Sequence, residues 1–138
     1  MKTINAICLI DDDPITIFSV KKLIEVTRIT ENVISFNNGI EALKHYRNEN
    51  NTIFPELILL DLNMPIIDGW EFIDNFSKLE ISKTTYIYIL TSSINPEDVN
   101  KVKEYNNKYP FSIKHLIKPV TKDKLSSLSF HLEPEEKK

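Results

Sequence analysis

The sequence holds two glycines and one cysteine, and it has neither a basic run nor an apolar stretch of membrane length. Each scarcity removes a class of function. With so few glycines there is no glycine-rich loop of the kind that cradles nucleotide phosphates on bare backbone amides. One cysteine cannot close an internal disulfide, so the chain suits a reducing compartment. Cys8 itself sits in an apolar run and reads as a small buried hydrophobe, not as a reactive thiol. A formal net charge of -3, without clustered Lys or Arg, offers little to a nucleic acid or an anionic membrane surface. No charged leader with an apolar core and a small-residue cleavage site opens the sequence, and the expected location is the cytoplasm.

What is present suits one domain with a proper core: 138 residues, 41% hydrophobic and 27% charged. Short apolar runs alternate with segments of helical spacing. Thr3 to Ile10 reads as a strand ending in Asp11-Asp12-Asp13, and Pro14 opens a helix capped by Asp13 with Ile17, Val20, Leu23 and Ile24 on one face. Val33 to Phe36 is a second strand. The Asn37-Asn38-Gly39 turn leads into a helix carrying Ile40, Leu43 and Tyr46 up to about Arg47, and Asn48 to Asn51 reads as a loop. Glu56 to Asp61 is a third strand, followed by a helix over Trp70 to Leu79 with Phe72, Ile73 and Phe76 inward.

Thr85 to Thr91 is a fourth strand, rich in β-branched and aromatic residues. Asn95-Pro96-Glu97-Asp98 starts a helix whose apolar stripe, Val99 and Val102, is thin. Ser112 to Ile117 is the last strand. Thr121 caps a final helix with Leu125, Leu128 and Leu132 inward, so the domain spans 1–132 and residues 133–138 form a charged tail. Strands alternating with helices imply right-handed crossovers, hence a five-stranded parallel α/β sheet with helices on both faces.

In such a sheet all carboxyl ends lie on one edge, the edge where ligands bind. The buried run Leu57 to Leu60 stops at Asp61, the first strand stops at Asp11-Asp12, the fourth at Thr91-Ser92 and the fifth at Lys118. Three carboxylates brought together repel unless a cation neutralises them. Lys118 supplies one charge, and oxygen ligands with incomplete protein coordination suit Mg²⁺. A carboxylate nucleophile, a hard cation, a lysine and a hydroxyl suggest phosphoryl transfer onto Asp61. The plainer alternative is that each polar residue merely ends its strand. It suffices for any one of them and not for four matching ends.

The ordered pieces Leu9-Ile10-Asp11-Asp12-Asp13, Leu59-Leu60-Asp61-Leu62-Asn63-Met64-Pro65 with Asp68-Gly69, Leu90-Thr91-Ser92 and Ile117-Lys118-Pro119 resemble the response-regulator receiver domains of two-component signalling, such as the chemotaxis regulator. The resemblance covers nearly the whole chain and implies a doubly wound, flavodoxin-like (βα)5 fold. It implies that Asp61 accepts phosphate from a histidine kinase or histidine phosphotransfer protein. It also implies that Asp11, Asp12 and Asp61, with the Asn63 main-chain carbonyl, hold Mg²⁺. Thr91 would be the switch hydroxyl and Lys118 the phosphoryl contact. Output is expected as contact with a downstream protein through the fourth helix, fifth strand and fifth helix of a stand-alone, non-enzymatic receiver.

Two features depart from the family pattern. His115 stands where the family usually has Tyr or Phe, and it is the switch candidate. The stretch from Tyr105 to Phe111 reads as a long aromatic turn before the fifth strand, in place of a compact one. Three rival readings remain. A Mg²⁺-dependent aspartyl-phosphate phosphatase wants a second acid two residues after the nucleophile, where this chain has Asn63. A nucleotide binder of the same fold wants a first loop without the repelling Asp11-Asp12-Asp13. A phosphate-independent interaction module keeps the fold and drops the chemistry. Trp70 reads as helix packing near Asp61, while His45 and His131 lack metal partners at ligand spacing.

Overall fold

The computed structural model of the protein describes residues 3–48, 50, 53–81 and 85–132, so the charged tail and part of the polar loop after Asn48 lie outside the described residues. The apolar runs form strands β1 (Ile7–Ile10), β2 (Val33–Phe36), β3 (Leu57–Asp61), β4 (Tyr86–Thr91) and β5 (Ser112–Ile117). They alternate with helices α1 (Pro14–Thr27), α2 (Gly39–Arg47), α3 (Gly69–Ser77), α4 (Pro96–Lys108) and α5 (Lys122–His131). All strand pairs are parallel, and the sheet order is β2-β1-β3-β4-β5.

Side chains that alternate along each strand build two separate cores. Cys8, Ile10, Ile58, Leu60, Ile87 and Ile89 meet the inward residues of α2, α3 and α4, among them Leu43, Phe72, Ile73 and Phe76. Ile7, Leu9, Leu57, Leu59, Tyr88 and Leu90 meet Val20 and Ile24 of α1 and Leu125 and Leu128 of α5. The sheet is thus doubly wound. Because β1 and β3 lie inside the sheet with helices on both faces, they read as unbroken apolar runs. Chain direction across the sheet reverses between β1 and β3, which opens a crevice at their carboxyl ends.

The helix starts are built as their residues dictate. The side chains of Asp13, Asn38, Asp68 and Asn95 each accept a backbone hydrogen bond at the start of α1, α2, α3 and α4. Asp68 and Glu71 complete a reciprocal capping box. Each such cap contributes about 1 kcal/mol.

Two expectations need correcting. The first strand starts at Ile7 rather than Thr3, because the chain before it bends at Asn5 and bonds to turns instead of a strand. There Ile4 N–H donates to Ile29 O at 2.6 Å, and Asn5 N–H donates to Glu56 Oε1 at 2.8 Å. The expected aromatic turn over Tyr105 to Phe111 is mostly helix: α4 continues to Lys108, leaving only Tyr109 to Phe111 before β5. Its buried residue is Tyr105, 6% exposed; of the expected stripe Val102 packs partly against the same core while Val99 is 38% exposed, so a tyrosine supplements a thin apolar contact.

Candidate functional site

The crevice collects the strand ends. Asp11 follows β1 directly and is 1% exposed, while Asp12 beside it is exposed. Asp61, the last residue of β3, is 8% exposed. One carboxylate oxygen from each of Asp11, Asp12 and Asp61 lies within 4.8 Å of the others. Lys118, just past β5, reaches across the crevice: its Nζ is 3.4 Å from Asp11 Oδ2 and 3.8 Å from Asp61 Oδ1. The Lys118–Pro119 peptide is cis.

Beside the acids opens a pocket of about 390 Å³, lined among others by Asp61, Asn63, Trp70, Thr91, Ser92 and Lys118. The Thr91 hydroxyl is turned to the Ser93 carbonyl oxygen, to which it donates. Burial and the neighbouring Asp11 charge push the Asp61 carboxyl up to about 6, against the downward pull of Lys118. Three acids held around one lysine leave excess negative charge in a partly dry crevice.

Two further features hold the geometry. The Asp68-Gly69 turn lets α3 start against the end of β3. Gly69 N–H donates to Leu62 O at 2.9 Å, and a Cβ added at Gly69 would stand 3.0 Å from the Asp61 carbonyl oxygen and 2.9 Å from Leu62 Cδ2. No side chain fits there without displacing backbone. Asp13 anchors the acid loop from the other side, accepting from Ile15 N–H at 3.0 Å and from the Thr16 hydroxyl at 3.0 Å.

Thus Asp11, Asp12, Asp61 and Lys118 form one cluster, and Thr91 and Asn63 line the pocket beside it. His115 is not among that pocket's lining residues. It pairs in register with Ile89, and alternation along β5 puts it on the sheet face of Ile113, which α4 covers. Its Nε2 is buried without a hydrogen-bond partner. Asn95 and Asp98 of the α4 start also line the pocket. Their residue types signal only a helix cap and a first-turn acid, and their place at the pocket follows from where the β4–α4 connection ends.

The acidic cluster has the character of a hard-cation site. Its donors are carboxylate oxygens, and Asp11 Oδ2 is a buried acceptor that no hydrogen bond reaches. These residues fit Mg²⁺, which takes oxygen ligands and keeps part of its water.

Fold and site together define a doubly wound α/β domain with an acidic, lysine-bearing cleft at the carboxyl edge of its sheet. The family model of the response regulator receiver domain matches residues 7–128. The chain belongs to that family, the receiver domains of two-component signalling. It is similar to the response regulator Rcp1 of Synechocystis sp., 29% identical over 98 residues that make up 69% of this chain and 67% of that protein. Two other curated relatives it matches, at 35% and 34% identity, are longer, and the matched stretch spans 34% and 40% of their lengths. Among solved structures, a two-component response regulator from Cytophaga hutchinsonii superimposes with a TM-score of 0.77 at 29% identity, covering 95% of this chain and 98% of that one. The receiver domain of the sensor histidine kinase PA1611 of Pseudomonas aeruginosa PAO1, which has a magnesium ion in its active-site cleft, shares the fold with a TM-score of 0.71 at 19% identity, covering 93% of this chain and 96% of that one. Among the described residues no helix is long and apolar enough to cross a membrane.

Proposed function

We propose that this receiver accepts a phosphoryl group on Asp61 from a sensor histidine kinase or a histidine phosphotransfer protein in the cytoplasm, and that a protein partner reads the altered surface of α4, β5 and α5. The observation that carries this reading is the convergence of Asp11, Asp12 and Asp61 within 4.8 Å around Lys118. An Asp61 carboxylate oxygen forms the new bond to phosphorus while the phosphorus–nitrogen bond of a phosphohistidine breaks. The electron pair of that bond leaves with the imidazole.

Lys118 sets its charge against the developing phosphoryl oxygens. Thr91 turns its hydroxyl from Ser93 toward one of those oxygens, which ties the β4–α4 loop to the modified aspartate. Asp11, Asp12, the Asp61 carboxylate and the Asn63 main-chain carbonyl would hold Mg²⁺, which when bound neutralises the acids and the incoming oxygens. Two residues on from Asp61, where such a phosphatase carries its second acid, Asn63 offers no proton to the leaving group of a separate substrate. The domain therefore acts as an acceptor with at most self-dephosphorylation, and not as a phosphatase. His115, facing α4, is the candidate to couple Thr91 to that helix.

Acetyl phosphate with Mg²⁺, followed by intact mass, tests the acceptor directly. The native chain should gain one phosphoryl group and Asp61→Asn should gain none. Trp70, the single tryptophan, lines the pocket and should report beryllofluoride binding as a fluorescence change. An unmodified native chain, or equal modification of Asp61→Asn, would sink the reading.

A further inference from the structure

Helix α4 is held unequally along its length. From Ser92 to Glu104 no residue is buried, and only Asp98 and Val102 are half-buried. The last turn is the reverse. Tyr105 is 6% exposed, and its ring lies 4.8 Å from that of Trp70 and 5.6 Å from that of Tyr109. Asp74 of α3 accepts hydrogen bonds from both phenols, from Tyr105 Oη at 2.9 Å and from Tyr109 Oη, and Lys108 Nζ adds an ion pair at 3.9 Å. Burial and then the bond to Asp74 push the Tyr105 phenol up, so it remains a donor.

On the other side Asn106 clasps the edge strand. Its Nδ2 donates to Ile113 O at 2.9 Å and its Oδ1 accepts from Ile113 N–H at 2.8 Å. The side-chain amide therefore satisfies both main-chain groups of one β5 residue, as a neighbouring strand would. Thus α3 and β5 each grip the last turn by paired hydrogen bonds. The first turn, whose Asn95 and Asp98 line the phosphoryl pocket, has no such grip on either neighbour among the described residues.

We propose that α4 is a lever hinged at its last turn: residues 105–109 stay fixed on α3 and β5, and the chain from 92 to 102 carries the displacement that pocket occupancy imposes. Asp74 and Asn106 are the positioning residues of the hinge. The moving part presents Ile94, 42% exposed, and Val99, 38% exposed, so the change is delivered where a partner can meet apolar surface. The trigger rests on the phosphoacceptor reading, while the hinge itself rests on packing alone.

Hydrogen–deuterium exchange on the full chain separates the two. A helix held evenly frays from both ends. Here, without ligand, amides of 105–109 should exchange at least about tenfold more slowly than those of 100–103. With Mg²⁺ and beryllofluoride, exchange should change over 92–102 and stay constant over 105–109. In Tyr105→Phe/Tyr109→Phe/Asn106→Ala, which keeps the rings but removes the hydroxyls and the amide, the last turn should lose its extra protection and the ligand response should spread to it. Uniform protection along α4 without ligand overturns the hinge, as does a response that includes 105–109 in the parent, or a variant that behaves like the parent. If the protection gradient is present and fluorine NMR finds no bound beryllofluoride, the hinge stands and the phosphoacceptor reading fails. Should the triple variant not fold, Tyr109→Phe alone is expected to lower protection of the last turn in the same direction, and no change there overturns the hinge.

Discussion

Asp11 Oδ2 is buried and has no hydrogen-bond partner among the described residues, and the cation that faces it is Lys118 Nζ at 3.4 Å. A buried carboxylate in that position depends on its cation, because removing one partner of a buried pair leaves the other charge uncompensated.

Lys118→Met should therefore destabilise the metal-free protein at neutral pH. Lys118 is partly exposed, so the loss should be about 1–3 kcal/mol, below the full value for a buried pair. Mg²⁺ should restore most of it, since a divalent cation meets the same three carboxylates. Urea denaturation with EDTA and then with Mg²⁺ measures both, and a variant as stable as the parent in EDTA would show that the pair contributes nothing.

The acid cluster also fixes a sign for pH dependence. Burial first, then the Asp11 charge, raises Asp61 from 3.8 to about 6. Folded Asp61 holds its proton more tightly than unfolded Asp61, so stability from this group is fully present below about pH 4 and is lost as pH rises to about 6. A shift of this size corresponds to about 3 kcal/mol, of which about 1–2 remains after allowing for solvent in the open pocket. Asp61→Asn should stabilise the metal-free protein by that amount at pH 7, with the gain vanishing below pH 4. Denaturation midpoints across pH in EDTA give the comparison. A gain that is the same at both ends would mean Asp61 is not strained by charge.

Gly69 is set by contact rather than by conformational freedom. A Cβ there would meet the Asp61 carbonyl oxygen at 3.0 Å and Leu62 Cα at 3.0 Å, both backbone atoms that cannot turn aside. Gly69→Ala should push α3 off the end of β3, at a cost of about 1–3 kcal/mol from overpacking, and weaken Mg²⁺ binding by displacing Asp61. By contrast a Cβ at Gly39 meets the tip of Ile67, a flexible side chain, at 3.0 Å, so Gly39→Ala should be nearly neutral. Thermal melts of the two variants, with and without Mg²⁺, test the contrast. Equal effects would discard it.

The strands, the topology and the four strand ends were legible because each rests on local pattern: apolar runs for buried strands, caps at helix starts, polar residues where strands stop. Three things were not. Tyr105 reads as a turn aromatic until α3 offers Asp74 as its acceptor, a contact between residues far apart in the chain. Asn106 offers no apolar signal at all, and its value lies in the Ile113 backbone it meets. Ile66, 75% exposed, takes φ 75°, a left-handed backbone that β-branched residues avoid, so propensity argues against what the loop does. For Tyr105 and Asn106 a tertiary partner decides: Asp74 lies 31 residues away, and the Ile113 backbone meets Asn106 only once α4 packs beside β5.

His115 brings the packing and the switch to one test. Its Nε2 is buried with no partner on the α4 face of β5, and an unpaired polar atom in such a place costs about 1–3 kcal/mol. His115→Phe, which removes the polar atom and keeps a ring, should raise the stability of the unmodified domain by about 1 kcal/mol. If His115 couples Thr91 to α4, that gain has a consequence. His115→Tyr should keep the beryllofluoride-induced exchange change over 92–102, while His115→Ala should reduce it by a coupling of about 1 kcal/mol. Beryllofluoride affinity and exchange are to be measured together in all three variants, because a weaker response with unchanged affinity isolates the coupling from the site. If His115→Tyr and His115→Ala both respond like the parent, the histidine has no part in switching and its unpaired nitrogen is only a local packing defect.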